Sequence, residues 1–429
     1  MQLGTWRTPQ PRTLLMVGAV VLVAAATAWA LIIRPEPFSD WLYYWRAAQG
    51  SVAYERGGVL LFVLRGLQAI ALPAHLAALV INAVSALAIL AVAYEASGRR
   101  IGPPLVLIFG YLLAITPYYP VVQLDLSSTA LLCAGMWLLA ADFPRERRIW
   151  AVAVSVVLLA FAVSSRPQFL LVLMVFSALL GIAAVVTRAV ASPLRLKAAV
   201  PPLILAVGAL SGFALDSALR AEAGRSGAVR TNSAVTLYAG LLSSGTTPRV
   251  CGHWSPQATE DARADAHLPL LEAVAGRLQQ QSAGYWLHVV RCKARTIALP
   301  DAYALSWSLG APNVESAKSS THLNTAAPQL YLWEGRGHRV LLLLIYALVL
   351  AAVVQSARRG KWRQALLPIL WLASFWIVHA VFEIQARYFL PLFLVLPLMA
   401  TPAMGGLTGG RSGRNAGEVL SDTTAGMTR

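Results

Sequence analysis

The chain has 429 residues, of which 57% are hydrophobic and only 13% are charged. Soluble domains carry about 25% charged residues, so this composition and a mean hydropathy of +0.61 exclude an ordinary soluble protein and predict a membrane protein. The formal net charge is +16. The basic residues cluster in short segments between apolar runs, which is typical of membrane topology and not of nucleic-acid binding.

Ten apolar segments are predicted to cross the bilayer as helices, because only a helix satisfies its backbone hydrogen bonds within one segment in lipid. The first has no small-residue cleavage site after it, and we expect it to be retained. The stretch at 57–73 is short and contains Arg65, so it is expected to lie along the interface. The predicted spans lie near 13–33, 74–96, 101–119, 122–141, 149–164, 168–187, 198–216, 339–357, 365–382 and 388–405.

The basic loops lie on alternate sides of these spans without exception. By the positive-inside rule that side is cytoplasmic, so both termini are predicted to be cytoplasmic. The basic groups are Arg7 and Arg12; Arg99 and Arg100; Arg145, Arg147 and Arg148; Arg188, Arg195 and Lys197; Arg358, Arg359, Lys361 and Arg363; and Arg411 and Arg414.

The predicted fold is an all-α polytopic membrane protein in four parts. Residues 1–216 form an N-terminal transmembrane module whose first loop, 34–73, is extracytoplasmic. A mixed, mainly helical extracytoplasmic domain, 217–338, lies between spans seven and eight, and its length is near the commonest domain size. Transmembrane helices fill 339–405. The tail 406–429 is rich in Gly, Ser, Thr and Arg and is predicted to be disordered.

The three cysteines have different expected environments. Cys133 falls inside an apolar run, where packing is the simplest role. Cys251 and Cys292 share the large polar segment. If that segment is extracytoplasmic, it lies in an oxidising compartment where these two could pair, although sequence cannot fix the pairing.

Two acidic residues are candidates for chemistry. Asp40 follows the first span within two turns and is surrounded by aromatic residues, where a carboxylate could act as a base on a substrate at the membrane boundary. The alternative is a solvated acid beside an aromatic belt. Asp125 lies at the mouth of the fourth span, where an ionisable group is costly unless it is paired or faces water. Alternatively, Asp125 would act as the N-cap of the helix that follows, because a negative charge stabilises a helix N-terminus.

Two arginines are predicted on the same side of the membrane. Arg166 precedes Pro167 at a sharp turn between spans, and Arg387 lies at the mouth of the last span. A guanidinium group binds phosphate bidentately, so both suit a lipid phosphate. The alternatives are a snorkelling anchor for Arg166 and an i, i+4 ion pair with Glu383 for Arg387.

These residues resemble the membrane-embedded glycosyltransferases of the C-type superfold. Within that superfold, the chain is similar to the bacterial lipid-phosphate-sugar branch that includes dolichyl-phosphate-mannose protein mannosyltransferases and lipid A aminoarabinose transferases. The resemblance covers most of the chain. The motifs that carry it are Ser39-Asp40 with Tyr43 or Tyr44, Asp125, Arg166-Pro167, Leu237-Tyr238-Ala239-Gly240 and Arg387-Tyr388-Phe389-Leu390-Pro391.

The resemblance implies an inverting transfer of a sugar from a polyprenyl-phosphate donor to a lipid, glycan or protein acceptor. Asp40 would be the catalytic base, Arg166 and Arg387 would bind the donor phosphate, and Asp125 would orient the acceptor, position neighbours of Asp40 or bind a divalent cation. No other cofactor is expected. The site would face the periplasm from a bacterial inner membrane. Supporting roles fall to Tyr43, Tyr44, Glu55, Arg56, Glu383 and Tyr388.

Two other functions fit the sequence less well. A surface-polysaccharide polymerase or ligase also handles lipid-linked sugars, but the early acidic loop favours the glycosyltransferase. A secondary transporter would show broken helices with polar groups at mid-membrane in repeated halves, and the sequence shows no half-repeat. ATP-driven transport and zinc hydrolysis have no supporting motif.

Overall fold

The structure is a computed structural model that describes residues 10–189, 200–222, 228–242, 252–310 and 323–408. It is 81% helix, and no strand occurs in these ranges, which confirms the all-helical prediction. The helices are α1 (Pro11–Ile33), α2 (Ser39–Gln49), α3 (Leu60–Ala69), α4 (Ala74–Ala96), α5 (Pro103–Ala114), α6 (Asp125–Ala140), α7 (Arg145–Ser165), α8 (Gln168–Ala189), α9 (Val200–Glu222), α10 (Ala228–Leu242), α11 (Pro256–Ala264), α12 (Leu270–Gln279), α13 (Ala283–Ala298), α14 (Ala304–Leu309), α15 (Leu323–Arg358), α16 (Trp362–Val381) and α17 (Leu390–Thr408).

Seven described helices are long and apolar enough to cross a membrane, so the chain is a multi-pass membrane protein. The other three predicted spans coincide with shorter apolar helices, and the count of ten stays a prediction. The seven long helices are Pro11–Ile33, Ala74–Ala96, Arg145–Ser165, Gln168–Val186, Pro201–Glu222, Ala326–Arg358 and Trp362–Val381; the shorter ones are Pro103–Ala114, Asp125–Ala140 and Ala386–Thr401.

Two of the shorter helices, α5 and α6, are shortened by their connection, which folds back into the bundle. Pro117 and Pro120 lie in it, and neither can donate a backbone hydrogen bond to continue a helix. The buried Asn82 amide of α4 donates to the carbonyls of Tyr119 and Val121, both at 3.0 Å. The connection is therefore fixed, and it delivers Asp125 to the first turn of α6.

The segment between α1 and α4 holds two short helices. The ten residues of α3 rise about 15 Å, roughly half the thickness of the hydrocarbon core. Its Leu60, Leu61 and Leu64 are buried against the bundle, while Phe62 and Val63 are exposed. This one-sided burial matches a helix that packs on the bundle and does not cross the membrane.

Helices α10 to α14 lie within the predicted extracytoplasmic domain. Its predicted limits at 217 and 338 fall inside helices, since α9 runs to Glu222 and α15 begins at Leu323. Helix-forming residues continue beyond the apolar stretches there, so hydropathy alone does not mark the helix ends. Of the predicted disordered tail, residues 409–429 lie outside the described part of the chain.

The cysteines agree in part with expectation. Cys133 is free and fully buried. Cys292 is disulfide-bonded, whereas Cys251, the partner named from sequence, lies outside the described residues.

The centre of the bundle is occupied by α17. The residues Leu390, Leu392, Phe393, Leu394 and Leu396 are fully buried. These residues point to several sides of the helix, so this part of α17 is enclosed by its neighbours and does not face lipid. The 3-10 turn Ala386–Phe389 leads directly into α17, so Arg387 is held in the protein interior at one end of the bundle.

Candidate active site

Asp40 lies in the first turn of α2, and its side chain is 22% exposed. Both carboxylate oxygens accept hydrogen bonds from arginine. Arg56 Nη2 donates to Oδ1 at 2.5 Å, and Arg387 Nη2 donates to Oδ2 at 2.9 Å. Asp40, the predicted catalytic base, is therefore bound by a guanidinium group at each of its two carboxylate oxygens.

Arg56 is held in place by two aromatic residues of α2. The Tyr43 hydroxyl accepts the backbone N–H groups of Glu55, at 2.5 Å, and of Arg56, at 3.2 Å. The rings of Tyr43 and Tyr44 have centroids 5.4 and 5.7 Å from Arg56 Cζ, within cation–π range. In these contacts Glu55 contributes its backbone to the site.

The loop that carries Arg56 is also fixed from the other side. Gly58 has φ +52, and a Cβ there would lie 2.5 Å from Ser164 Oγ, so only glycine fits this close approach. The Tyr54 hydroxyl donates to Asp216 Oδ1 at 2.5 Å, and Asp216 pairs with Arg220. These contacts anchor the loop to α7 and α9.

Asp125 lies deeper, and only 2% of its side chain is exposed. It forms an ion pair with Arg166, and the Tyr118 hydroxyl donates to its Oδ2 at 3.0 Å. Leu124, with φ +58, takes the N-cap position of α6 without a side-chain cap. The carboxylate of Asp125 therefore pairs with arginine and does not cap its helix.

Arg387 joins the two acids. It is 2% exposed, binds Asp40, and its Nε lies 3.9 Å from Asp125 Oδ2. Its Cζ lies 4.2 Å from the centroid of the Trp307 ring and 5.6 Å from that of Tyr388. The alternative considered from sequence, an i, i+4 ion pair with Glu383, does not form; Arg387 contacts the two aspartates instead.

The cluster carries a net positive charge. Three guanidinium groups, from Arg56, Arg166 and Arg387, face two aspartates, which leaves one positive charge in excess. Glu383 lies nearby and is 5% exposed; Gln385 Nε2 donates to its Oε1 at 2.5 Å. Burial raises the pKa of Glu383, and the hydrogen bond from Gln385 and the charge of Arg387 offset part of this rise. The excess charge suits a singly charged anion.

A cavity of about 620 Å³ opens beside this cluster. The cavity is lined by Asp40, Arg56 and Arg387 of the cluster and by the neighbouring Glu383 and Tyr388. Asp125 and Arg166 lie behind this wall. Arg387 lines the cavity, and its buried Nη1 has no hydrogen-bond partner in the described part of the chain.

The described residues do not fit a divalent cation at Asp125. Arg166 pairs with this carboxylate, and Arg387 is close to it, so a cation would be repelled. No group of three or more His, Cys, Asp or Glu in the described ranges could hold a metal ion. The chemistry below uses no metal.

Burial would raise the pKa of the Asp40 carboxyl, but its guanidinium neighbours, first Arg56 and then Arg387, lower it from 3.8 to about 2. Because folding depresses this pKa, the stabilisation is fully present above about pH 4 and is lost as the pH falls through 2. Asp40 is therefore ionised at every pH at which transfer would be assayed.

This ionisation can be measured directly. We expect the infrared difference spectrum between wild type and Asp40→Asn to show a carboxylate band and no protonated carboxyl band from pH 8 down to pH 4. The reason is that the folded pKa of about 2 keeps the carboxyl ionised over this whole range. A protonated carboxyl band that appears between pH 5 and 7 would contradict the ion-paired geometry.

The structure brings most of the predicted site residues together. Asp40, Arg387, Asp125 and Arg166 form one chain of contacts. Trp307 was not identified from the sequence, because the pattern of α14 does not indicate that this ring would pack against the guanidinium group of Arg387. It also missed the role of Tyr118 as a donor to Asp125; the Tyr118-Tyr119-Pro120 turn beside a buried acid was the available signal.

No protein-family model, curated protein or solved structure matches the chain. The interpretation of the site therefore depends on its own geometry and on the sequence motifs.

Proposed function

We propose that the chain is a glycosyltransferase that moves a sugar from a polyprenyl-phosphate donor to an extracytoplasmic acceptor by a single, inverting displacement. The observation that carries this proposal is the pairing of Asp40 with Arg387 at 2.9 Å on the wall of a cavity at the end of the helical bundle. A base and a phosphate-binding group are thereby adjacent at one end of the apolar helices.

The donor phosphate would occupy the cationic wall. Arg56 and Arg387 line the cavity, and the one excess positive charge of the cluster matches the single negative charge of a phosphodiester. A planar guanidinium group binds two phosphate oxygens at once. Arg166 lies behind and holds Asp125, so it supports the electrostatics without facing the cavity.

Asp40 would take the proton of the acceptor hydroxyl. The acceptor oxygen forms a bond to the anomeric carbon while the bond from that carbon to the phosphate oxygen breaks. The proton goes to Asp40, and polyprenyl phosphate leaves with the bonding electrons, stabilised by the arginines. One displacement from the opposite face inverts the anomeric configuration.

The low pKa of Asp40 implies that the donor binds before the proton is transferred. With both oxygens bound by guanidinium groups, Asp40 is a weak base in the free protein. A donor phosphate that attracts Arg56 and Arg387 weakens those bonds and makes the carboxylate more basic. Proton transfer would therefore follow donor binding.

The segments above the cavity would exclude water, which competes as an acceptor. Trp307 of α14 packs on Phe38 with ring centroids 5.5 Å apart and on Arg387. Trp254 and Tyr303 also line the cavity. We propose that this side faces the periplasm of a bacterial inner membrane, as the distribution of basic loops indicates.

The test is a transfer assay with purified protein in lipid vesicles. Polyprenyl-phosphate sugars with radiolabelled sugar are supplied with a cell-envelope extract, and the product linkage is determined by NMR. Transfer of one sugar with inversion supports the proposal. A processive ladder of products indicates a polymerase, and uptake of label into vesicles without transfer indicates a transporter.

Chelation provides a second prediction. We expect transfer to be unchanged by excess EDTA, because Asp125 is paired with Arg166 and the neighbouring charge is positive. The assay is repeated in chelated buffer and then with added Mg²⁺, Mn²⁺ or Ca²⁺. Loss of transfer that one of these ions restores would show that the site requires a divalent cation.

A further inference from the structure

The segment that carries Glu383 and leads into Arg387 is held by the part of the chain between 228 and 298. The Glu383 N–H donates to the Thr236 carbonyl at 3.0 Å, and the Ile384 N–H donates to the Gly252 carbonyl at 2.7 Å. Two separate elements therefore fix the backbone of this segment just before the arginine.

The Lys293 side chain adds two further contacts. Its Nζ donates to the carbonyls of Ala380, at 2.9 Å, and Phe382, at 3.0 Å. These are among the last carbonyls of α16, which have no partner within the helix. A lysine at this end also opposes the negative end of the helix dipole.

Lys293 is an unusual residue for a purely structural contact. It is 3% exposed, and burial lowers its pKa to about 7 without a contribution from a neighbouring acid. Burying an ammonium group without a carboxylate is costly. A side chain without a donor would avoid this cost but would leave the Ala380 and Phe382 carbonyls unpaired, so the function of the lysine here is to hold the end of α16.

The packing around Lys293 leaves the segment little freedom. A Cβ at Gly240 would lie 2.2 Å from the Val381 oxygen. A Cβ at Gly252 would lie 2.6 Å from Lys293 Cε. The backbones of α10 and of the loop before α11 therefore touch the end of α16 and the lysine directly. The Ala386–Phe389 turn begins two residues after Ile384, so its start lies close to these contacts.

We propose that Lys293 is a positioning residue that fixes the end of α16 and thereby aims Arg387 at Asp40 and at the donor phosphate. This inference depends on the proposed glycosyl transfer, since the phosphate is the ligand that Arg387 would bind. Lys293 does not line the cavity, so it acts on the substrate only through the segment 380–387.

The experiment measures binding of polyprenyl phosphate alone, which needs no transfer. Lys293→Met removes the donor and keeps the side-chain length, and we expect polyprenyl phosphate to bind about tenfold more weakly to this variant. Lys293→Arg keeps the charge and the donors, and it should restore most of the affinity. The matched control is Arg291→Met on the exposed face of α13, which should bind like wild type.

A double-mutant cycle separates positioning from general stability. If Lys293 acts through Arg387, then Lys293→Met should weaken binding no further in an Arg387→Met background. Additive losses, or equal affinity of wild type and Lys293→Met, would overturn the positioning role. If Lys293→Met does not yield folded protein, Lys293→Gln enters the same cycle.

The outcomes also distinguish this inference from the proposed function. Wild-type protein that fails to bind polyprenyl phosphate contradicts the lipid-phosphate donor itself. Wild-type protein that binds it, with a Lys293→Met variant that binds it equally well, contradicts only the role of the lysine.

Discussion

Replacement of Asp40 by asparagine is expected to reduce transfer by about 10²–10⁴-fold, the range that a positioned general base contributes. Asparagine keeps the shape of the side chain and one acceptor oxygen for Arg387 or Arg56, but it cannot take the proton of the acceptor hydroxyl. The rate is measured under single-turnover conditions with saturating donor, so that a change in donor affinity does not hide the change in chemistry.

The matched control for this variant is Glu36→Gln. Glu36 is an exposed carboxylate four residues upstream on the same connection, and its change to an amide should leave transfer at the wild-type rate. Both variants should elute as folded protein in detergent. Normal transfer by folded Asp40→Asn would eliminate the proposed base.

Arg387→Lys is expected to reduce kcat/KM for the lipid donor by about 10²–10³-fold, similar to the loss of one stabilising donor to a developing anion. Lysine has one ammonium head and cannot reach Asp40, Asp125 and a phosphate together as the planar guanidinium does. It also loses the flat contact with the Trp307 ring at 4.2 Å.

Donor titrations of Arg387→Lys test this prediction, with Arg295→Lys as the control. Arg295 is an exposed arginine on α13, and its change to lysine should have no effect on donor kinetics. If Arg387→Lys kept wild-type kcat/KM, the bridging guanidinium would have no role in donor recognition or in stabilising the leaving phosphate.

Much of the fold was predictable because hydropathy in a membrane chain is a strong signal. The long apolar runs at Pro11–Ile33 and Ala74–Ala96 match their predicted spans to within about two residues, as is usual for helix ends. The break near 120 was predicted, but its extent was not: the spans predicted at 101–119 and 122–141 correspond to helices that end at Ala114 and begin at Asp125. The residues between them are buried, and Asn82 holds them as an irregular segment.

The site was predictable in its members but not in its pairings. Asp40 and Arg387 are 347 residues apart in the chain. No local sequence pattern indicates which acidic residue such a distant arginine will contact. An i, i+4 ion pair between Arg387 and Glu383 was one of two roles left open from sequence, and in the tertiary fold the arginine contacts two aspartates instead. Arg56 was named only as a supporting residue, yet its guanidinium binds Asp40 directly and lines the cavity.

The supporting contacts were the least predictable part. Trp307 lies on a six-residue helix without a recognisable motif, and its contact with Arg387 depends on the packing of α14 against the Thr116–Tyr118 turn and the long helix α15. The pairing of Tyr54 with Asp216 likewise joins residues 162 positions apart. Such contacts are determined by the packing of whole helices and not by their sequence spacing.

The length of α15 links the site to the surrounding lipid. Its 36 residues rise about 54 Å, well beyond the roughly 30 Å of a hydrocarbon core. In the N-terminal third of α15, Glu334 accepts the backbone N–H of Leu305 at 3.0 Å and so holds α14, the short helix that carries Trp307. The predicted span 339–357 rises about 28 Å and matches this core, so the extra length of α15 is the N-terminal part that extends beyond the membrane. Because the span and this extension are one helix, movement of the span in the bilayer would be transmitted to α14 and its ring against Arg387.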